Sequence, residues 1–132
     1  MQIGEIVMSV AIVQYGAIPL LADLNRSHAL NPDWPPHARF HVTAQVCTTS
    51  LVALFAVALL WWPTLGLALR ASLSALASGA VIGGFFCAVV ASRAVGGAVA
   101  APGAARFGGF DGNAINFAVS GTLTLAGWLL TR

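Results

Sequence analysis

Residues 71–92 read ASLSALASGAVIGGFFCAVVAS, 22 residues with no charged side chain and no proline. A helix needs about 20 such residues to cross the roughly 30 Å hydrocarbon core of a bilayer. Lipid offers no partner for backbone amides, so a run of this kind must satisfy them internally as a helix. Three further apolar runs flank it, at about 3–22, 42–62 and 114–130, against 71–92 for the run itself. None alternates with the period of two that marks a membrane strand, which speaks against a β-barrel. The reading is an all-α membrane protein, a four-transmembrane-helix bundle in one integral membrane domain, 1–132.

Composition agrees. Of the 132 residues 58% are hydrophobic and 8% are charged, against about 25% charged in a soluble domain. Ten charged side chains cannot clothe a chain of this size in water, which excludes an ordinary soluble domain. So apolar a chain is not intrinsically disordered either. There is no lysine, and the six arginines are scattered, so no nucleic-acid partner is expected. Cys47 and Cys87 sit in apolar runs and form no disulfide framework.

The first run carries Glu5 where a cleavable signal would carry basic residues, and it reads as a retained helix bent near Pro19. Four spans bring Trp61, Trp62 and Trp128 to one membrane face, as an aromatic belt requires. This is the terminal face. The opposite, loop face holds the two long loops and Arg26, Arg39, Arg93 and Arg106, against Arg70 and Arg132 at the terminal face. The bias of positive charge places the loop face in the cytoplasm. Glu5 lies near the terminal face, a bilayer away from the loops. It reads as an interfacial residue or, if turned inward, as a proton-carrying group.

Helices in lipid associate through close packing of small residues. Ala75, Gly79, Gly83, Cys87 and Ala91 repeat every four residues and form one narrow face. Gly79 and Gly83 are its core, packing inside the bundle or against a second copy in a homo-oligomer. The fourth run carries a polar stripe, Asn113, Asn116, Ser120 and Thr124, on one side. The second carries His37, His41, Gln45 and Thr48 or Thr49. Both stripes start at the loop face and predict a polar pocket that opens there.

All three histidines fall within residues 23–45, DLNRSHALNPDWPPHARFHVTAQ. The prolines favour extended backbone before a helix start. His37 and His41, at i and i+4, then project from one helical face. They form an acid/base pair, or chelate a metal with His28 as third ligand and Asn31, Asp23 or Asp33 completing the shell. Such a set suits Zn or Fe. A metal-free polar site and a structural role stay open beside it. Arg39 is an anion clamp or an interfacial anchor. The Gly/Ala-rich loop 94–112 is a lid over the pocket or slack. Asp111 caps the fourth helix or adds a carboxylate.

The segment N-P-D-W-P-P-H-A-R-F-H, residues 31–41, resembles an N-P-x-W-P-x-H-A-R-F-H loop motif of small four-span membrane proteins of bacteria and fungi. The resemblance implies that His37, Arg39 and His41 are functional positions, and the expected location, a separate reading, is a bacterial inner membrane. It implies no reaction. Two functions follow from the residues. In the first, the chain binds or converts a hydrophobic small molecule, with membrane lipid as its surroundings. His37, His41 and Arg39 would act on it, and Asn31, Trp34, Gln45, Asn113 and Asn116 would hold it. In the second it is a non-catalytic carrier, channel or accessory subunit.

Overall fold

The computed structural model describes residues 2–100 and 106–132. Its elements are α1 (Ile3–Asp23), α2 (Pro36–Leu60), α3 (Leu67–Ala91), β1 (Arg106–Phe107), β2 (Phe110–Asp111) and α4 (Gly112–Leu129). By length and composition α1, α2 and α3 are apolar enough to cross a membrane.

Helix starts follow local chemistry more than hydropathy. The apolar stretch of the second run begins at Val42, yet α2 begins at Pro36, because proline suits the first helical position. His37 and His41 therefore ride on a full helical turn ahead of the expected span. Likewise α3 begins at Leu67, right after Gly66, and takes Arg70 into its first turn. α1 runs through Pro19 to Asp23 without ending there. Its start is tied by the Gln2 amide, which donates to Glu5 Oε2 at 2.6 Å.

The described part of loop 94–112 contains a structure that its composition hides. Phe107 pairs with Phe110 and Arg106 with Asp111 in an antiparallel hairpin. Gly108 and Gly109, at φ +58° and +86°, make the two-residue turn, whose left-handed conformation suits glycine at both positions. Phe107 and Phe110 are exposed. The hairpin leads straight into α4, where Asp111 Oδ1 accepts from the Asn113 and Ala114 amides at 2.9 and 3.3 Å. Asp111 is thus the cap of α4. Residues 101–105 of the loop lie outside the described residues.

The four helices form a ring. α1 packs on α2 and α4, α3 closes the ring against the same two, and α1 and α3 face each other across the middle. Met8, Ile12 and Tyr15 of α1 meet Ala53, Ala56 and Leu60 of α2, Ala71 and Ile82 of α3, and Phe117 of α4. Phe85 stacks flat on Phe117, with centroids 4.2 Å apart. At the terminal end Trp61 Nε1 donates to Ser9 Oγ, and Trp128 Nε1 to Ser72 Oγ. The Arg132 guanidinium lies 4.1 Å above the Trp128 ring.

The close backbone approaches belong to α1, not to the stripe on α3. A Cβ at Gly4 would lie 2.5 Å from the Gly127 carbonyl oxygen, and one at Gly127 would lie 2.6 Å from Met8 Cγ. A Cβ at Gly16 would lie 2.5 Å from Ala53 Cβ. Gly79 and Gly83 are exposed, and a Cβ at either meets nothing within 4 Å among the described residues. The expectation that this pair packs inside the bundle is therefore corrected. α3 turns Ala71, Ser74, Ser78 and Ile82 inward instead, and that choice leaves Gly79 and Gly83 on the outside.

Candidate functional site

The first loop folds back onto the end of α1. The Ala29 amide donates to the Asp23 carbonyl at 3.0 Å, and Ala29 is buried. Asn25 Nδ2 donates to the Ala22 carbonyl at 2.7 Å, while Asn25 Oδ1 accepts from Ser27 Oγ at 2.6 Å. Ser27 Oγ lies 2.7 Å from His28 Nδ1. This chain of short polar contacts sets the His28 ring, edge-on to Trp34 at 5.4 Å between centroids. Its Nε2 stays without a hydrogen-bond partner among the described residues.

Two adjoining cavities share Asp23, His28 and Asn113 as walls. One, of about 450 Å³, also has Trp34, Gln45, Phe85 and Ser92 in its lining. The other, of about 460 Å³, extends towards Phe107, Asp111 and Asn116. Gln14 Nε2 donates to Asn116 Oδ1 at 3.1 Å, which fixes that amide to α1. A third cavity of about 540 Å³ lies between α2 and α3, with Thr48, Val52, Gly84 and Phe117 in its walls. It meets the first at Gln45, Phe85 and Ala88. A polar head and an apolar slot thereby adjoin at a common wall.

The site gathers four of the five expected holding residues: Trp34, Gln45, Asn113 and Asn116. Asn31 stands apart, its Oδ1 accepting from the Asp33 amide at 3.0 Å to close a turn. His37 and His41 do pair, Nε2 to Nε2 at 2.9 Å, as the i, i+4 spacing requires. The pair is exposed and lines none of these three cavities. Arg39 is half-buried on the same helix and contributes to none of the three either. His28 belongs to the pocket and not to the other two histidines. Among the described residues no group of three or more His, Cys, Asp or Glu is placed to hold a metal ion. The structure thus places His28 beside Asp23, and pairs His37 with His41 outside that pocket.

The two cavities together offer the carboxylates of Asp23 and Asp111, the His28 imidazole, and the amides of Gln45, Asn113 and Asn116 against an aromatic and aliphatic wall. It can accept and donate hydrogen bonds to a compact polar group and hold an apolar body behind it. Asp23 and His28 stand where proton exchange with that group is open to them. The central place of Asp23 was not evident from spacing. The sign of it is a lone acid at the end of an apolar run, five residues before a histidine that a turn can fold back.

A family model described as "Family of unknown function (DUF6640)" matches residues 7–128, from the first turns of α1 to the last turn of α4. No curated protein and no solved structure matches the chain.

Proposed function

The chain belongs to the DUF6640 family, and for it we propose a membrane protein that binds or converts a lipid-soluble small molecule at its loop face. α4 crosses the bilayer with the other three helices, since it packs along α1 from Gly127 beside Gly4 to Asn116 beside Gln14. One observation carries the reading: the polar cavity at Asp23, His28 and Asn113 adjoins the apolar slot between α2 and α3, with Gln45, Phe85 and Ala88 as shared walls. A ligand with a small polar head and a hydrophobic tail fits both parts. Bilayer lipid reaches the slot from the side, so such a ligand need not pass through water.

The test is native mass spectrometry of the protein released from mild detergent. The wild type is expected to retain a lipid-soluble molecule. Gly84→Phe, which fills the slot, and Asn113→Leu, which removes a polar wall, are expected to lose it. A wild-type protein that retains no more than the folded Gly84→Phe variant would overturn the reading.

A second reading, a non-catalytic subunit that assembles with its own kind, has one observation in its favour. The small-residue face at Gly79 and Gly83 has no neighbour within the bundle among the described residues. A second α3 can approach it closely.

A further inference from the structure

Hydroxyls in these helices fall into two groups. Among the exposed and half-buried ones, Ser50 donates to the Gly16 carbonyl of α1, while four close on the carbonyl four residues back: Thr43 on Arg39, Ser72 on Ala68, Thr122 on Ala118 and Ser9 on Glu5. That is the ordinary way for a helix to satisfy serine and threonine. Among the buried ones only Ser78 does so, on Ser74, and Tyr15 Oη also lies 3.1 Å from its oxygen. Ser74 Oγ, Ser120 Oγ, Thr124 Oγ1 and Asn116 Nδ2 have no partner among the described residues. Each of these residues is more than nine-tenths buried. An unpaired buried hydroxyl or amide is costly, and most such groups in folded proteins find protein or water.

The unpaired groups are not scattered. Arg70, Ser74 and Ser78 repeat every four residues along the inward face of α3. Asn113, Asn116, Ser120 and Thr124 follow one face of α4. Ile82 lies against Gly121 and Phe85 against Phe117, so the antiparallel register brings Ser78 level with Thr124. The line on α3 thus ends where the line on α4 begins. At 1.5 Å per residue the first covers about 12 Å and the second about 16 Å, together close to the hydrocarbon thickness. Both run along the middle of the ring, which Tyr15 and Glu5 of α1 cross to reach Ser78 and Arg70.

The ends are charged. At the terminal face Glu5, only 1% exposed, holds Arg70 at 2.6 Å, and Arg70 keeps contact with the outside. At the loop face the line runs through Asn116 and Asn113 into the walls that carry Asp23 and His28. The titratable and charged groups facing the line are Glu5 and Tyr15 from α1 and Arg70 from α3, with Asp23, His28 and Asp111 at its mouth. α2 and α4 add none.

We propose that this line is a proton pathway across the bundle. Each hydroxyl, or a water molecule between two of them, takes a proton on one side and releases its own on the other. Beside Asn113 and Asn116 it is water that passes the proton, so only O–H bonds form and break, with an N–H bond where His28 takes or gives the proton at the mouth. One proton leaves at Glu5 for each that enters at the loop-face pocket, or the reverse. The sequence speaks against a continuous path, because α2 turns uniformly apolar after Ser50. The path does not use α2.

The test is proton flux in vesicles of neutral lipid that hold the purified full chain, a trapped pH-sensitive dye, and valinomycin with potassium to balance charge. Wild-type vesicles are expected to dissipate a pH step faster than protein-free ones. Glu5→Gln, Ser120→Ala and Thr124→Val should each fall to the protein-free rate, while Thr122→Val, at an exposed hydroxyl, keeps the wild-type rate. Ser120→Ala and Thr124→Val preserve shape, so they carry the test if Glu5→Gln fails to fold. A wild type no faster than empty vesicles, or folded Ser120→Ala and Thr124→Val as fast as wild type, would overturn the proposal.

Discussion

Arg70 Nη2 lies 2.6 Å from Glu5 Oε1, a contact that joins the first turn of α3 to the first turn of α1 across the ring. Arg70 Nη1 also donates to the Leu60 carbonyl at 2.9 Å, so the same side chain ties down the end of α2. Three helices meet at one guanidinium.

Removing one partner strands the other. Arg70→Met leaves a buried carboxylate without its cation and should cost about 3–5 kcal/mol. The double variant Glu5→Gln/Arg70→Met removes both charges and should recover much of that loss. Unfolding by denaturing detergent, followed by circular dichroism, measures the difference. Equal losses in the single and double variants would contradict the pairing.

Packing predicts opposite outcomes at two kinds of glycine. Gly127→Ala drives a methyl against Met8 and the Gly4 carbonyl, and such overpacking should cost about 1–3 kcal/mol. Gly83→Ala meets open space on a helix and should gain about 0.5–1 kcal/mol in the monomer. Thermal unfolding in micelles ranks the two, and a larger loss at Gly83 would place the tight interface on the wrong helix.

The histidines should separate in a binding assay. His28 lines the pocket, whereas His37 and His41 sit outside it. His28→Ala should therefore reduce the amount of retained small molecule, and His37→Ala should leave it near the wild-type level. The reverse order, read by the same native mass spectra, would move the site to the exposed pair.

Cys87 shares the outer face of α3 with Gly79 and Gly83, and it is exposed. With Cys47→Ser in place, mild oxidation in membranes should yield a disulfide-linked dimer through Cys87 if a second copy covers that face. Gly83→Leu should suppress it. A protein that stays monomeric under oxidation would leave the face to lipid.

Much of this architecture was legible because bilayer chemistry is strict. Runs without charge had to be helices, and the tryptophans of α2 and α4 had to share an end. Polar residues at positions 113, 116, 120 and 124 had to turn away from lipid, and the last three are buried. Helix starts were less legible. Hydropathy reports where lipid begins, while Pro36 and Gly66 report where helical backbone begins, one or two turns earlier. That difference hid Arg70 from Glu5, since Arg70 stands just outside the apolar run 71–92. The hairpin was hidden for another reason: Gly108 and Gly109 are a turn signal, but strands of two residues carry no period. His28 was grouped with the other histidines by type. Only the fold of the backbone around Asn25 and Ala29 shows that it belongs with Asp23.

The close contact of α1 with α4 has a consequence for how the protein is made. α1 is the first of the four helices to leave the ribosome, and α4 is the last. Until α4 arrives, Gly4 and Met8 lack their partner at Gly127, and Gln14 lacks Asn116. The ring therefore stays open until α4 has been made and inserted. A product truncated before α4 would leave the Gly4, Met8 and Gln14 side of α1 facing acyl chains.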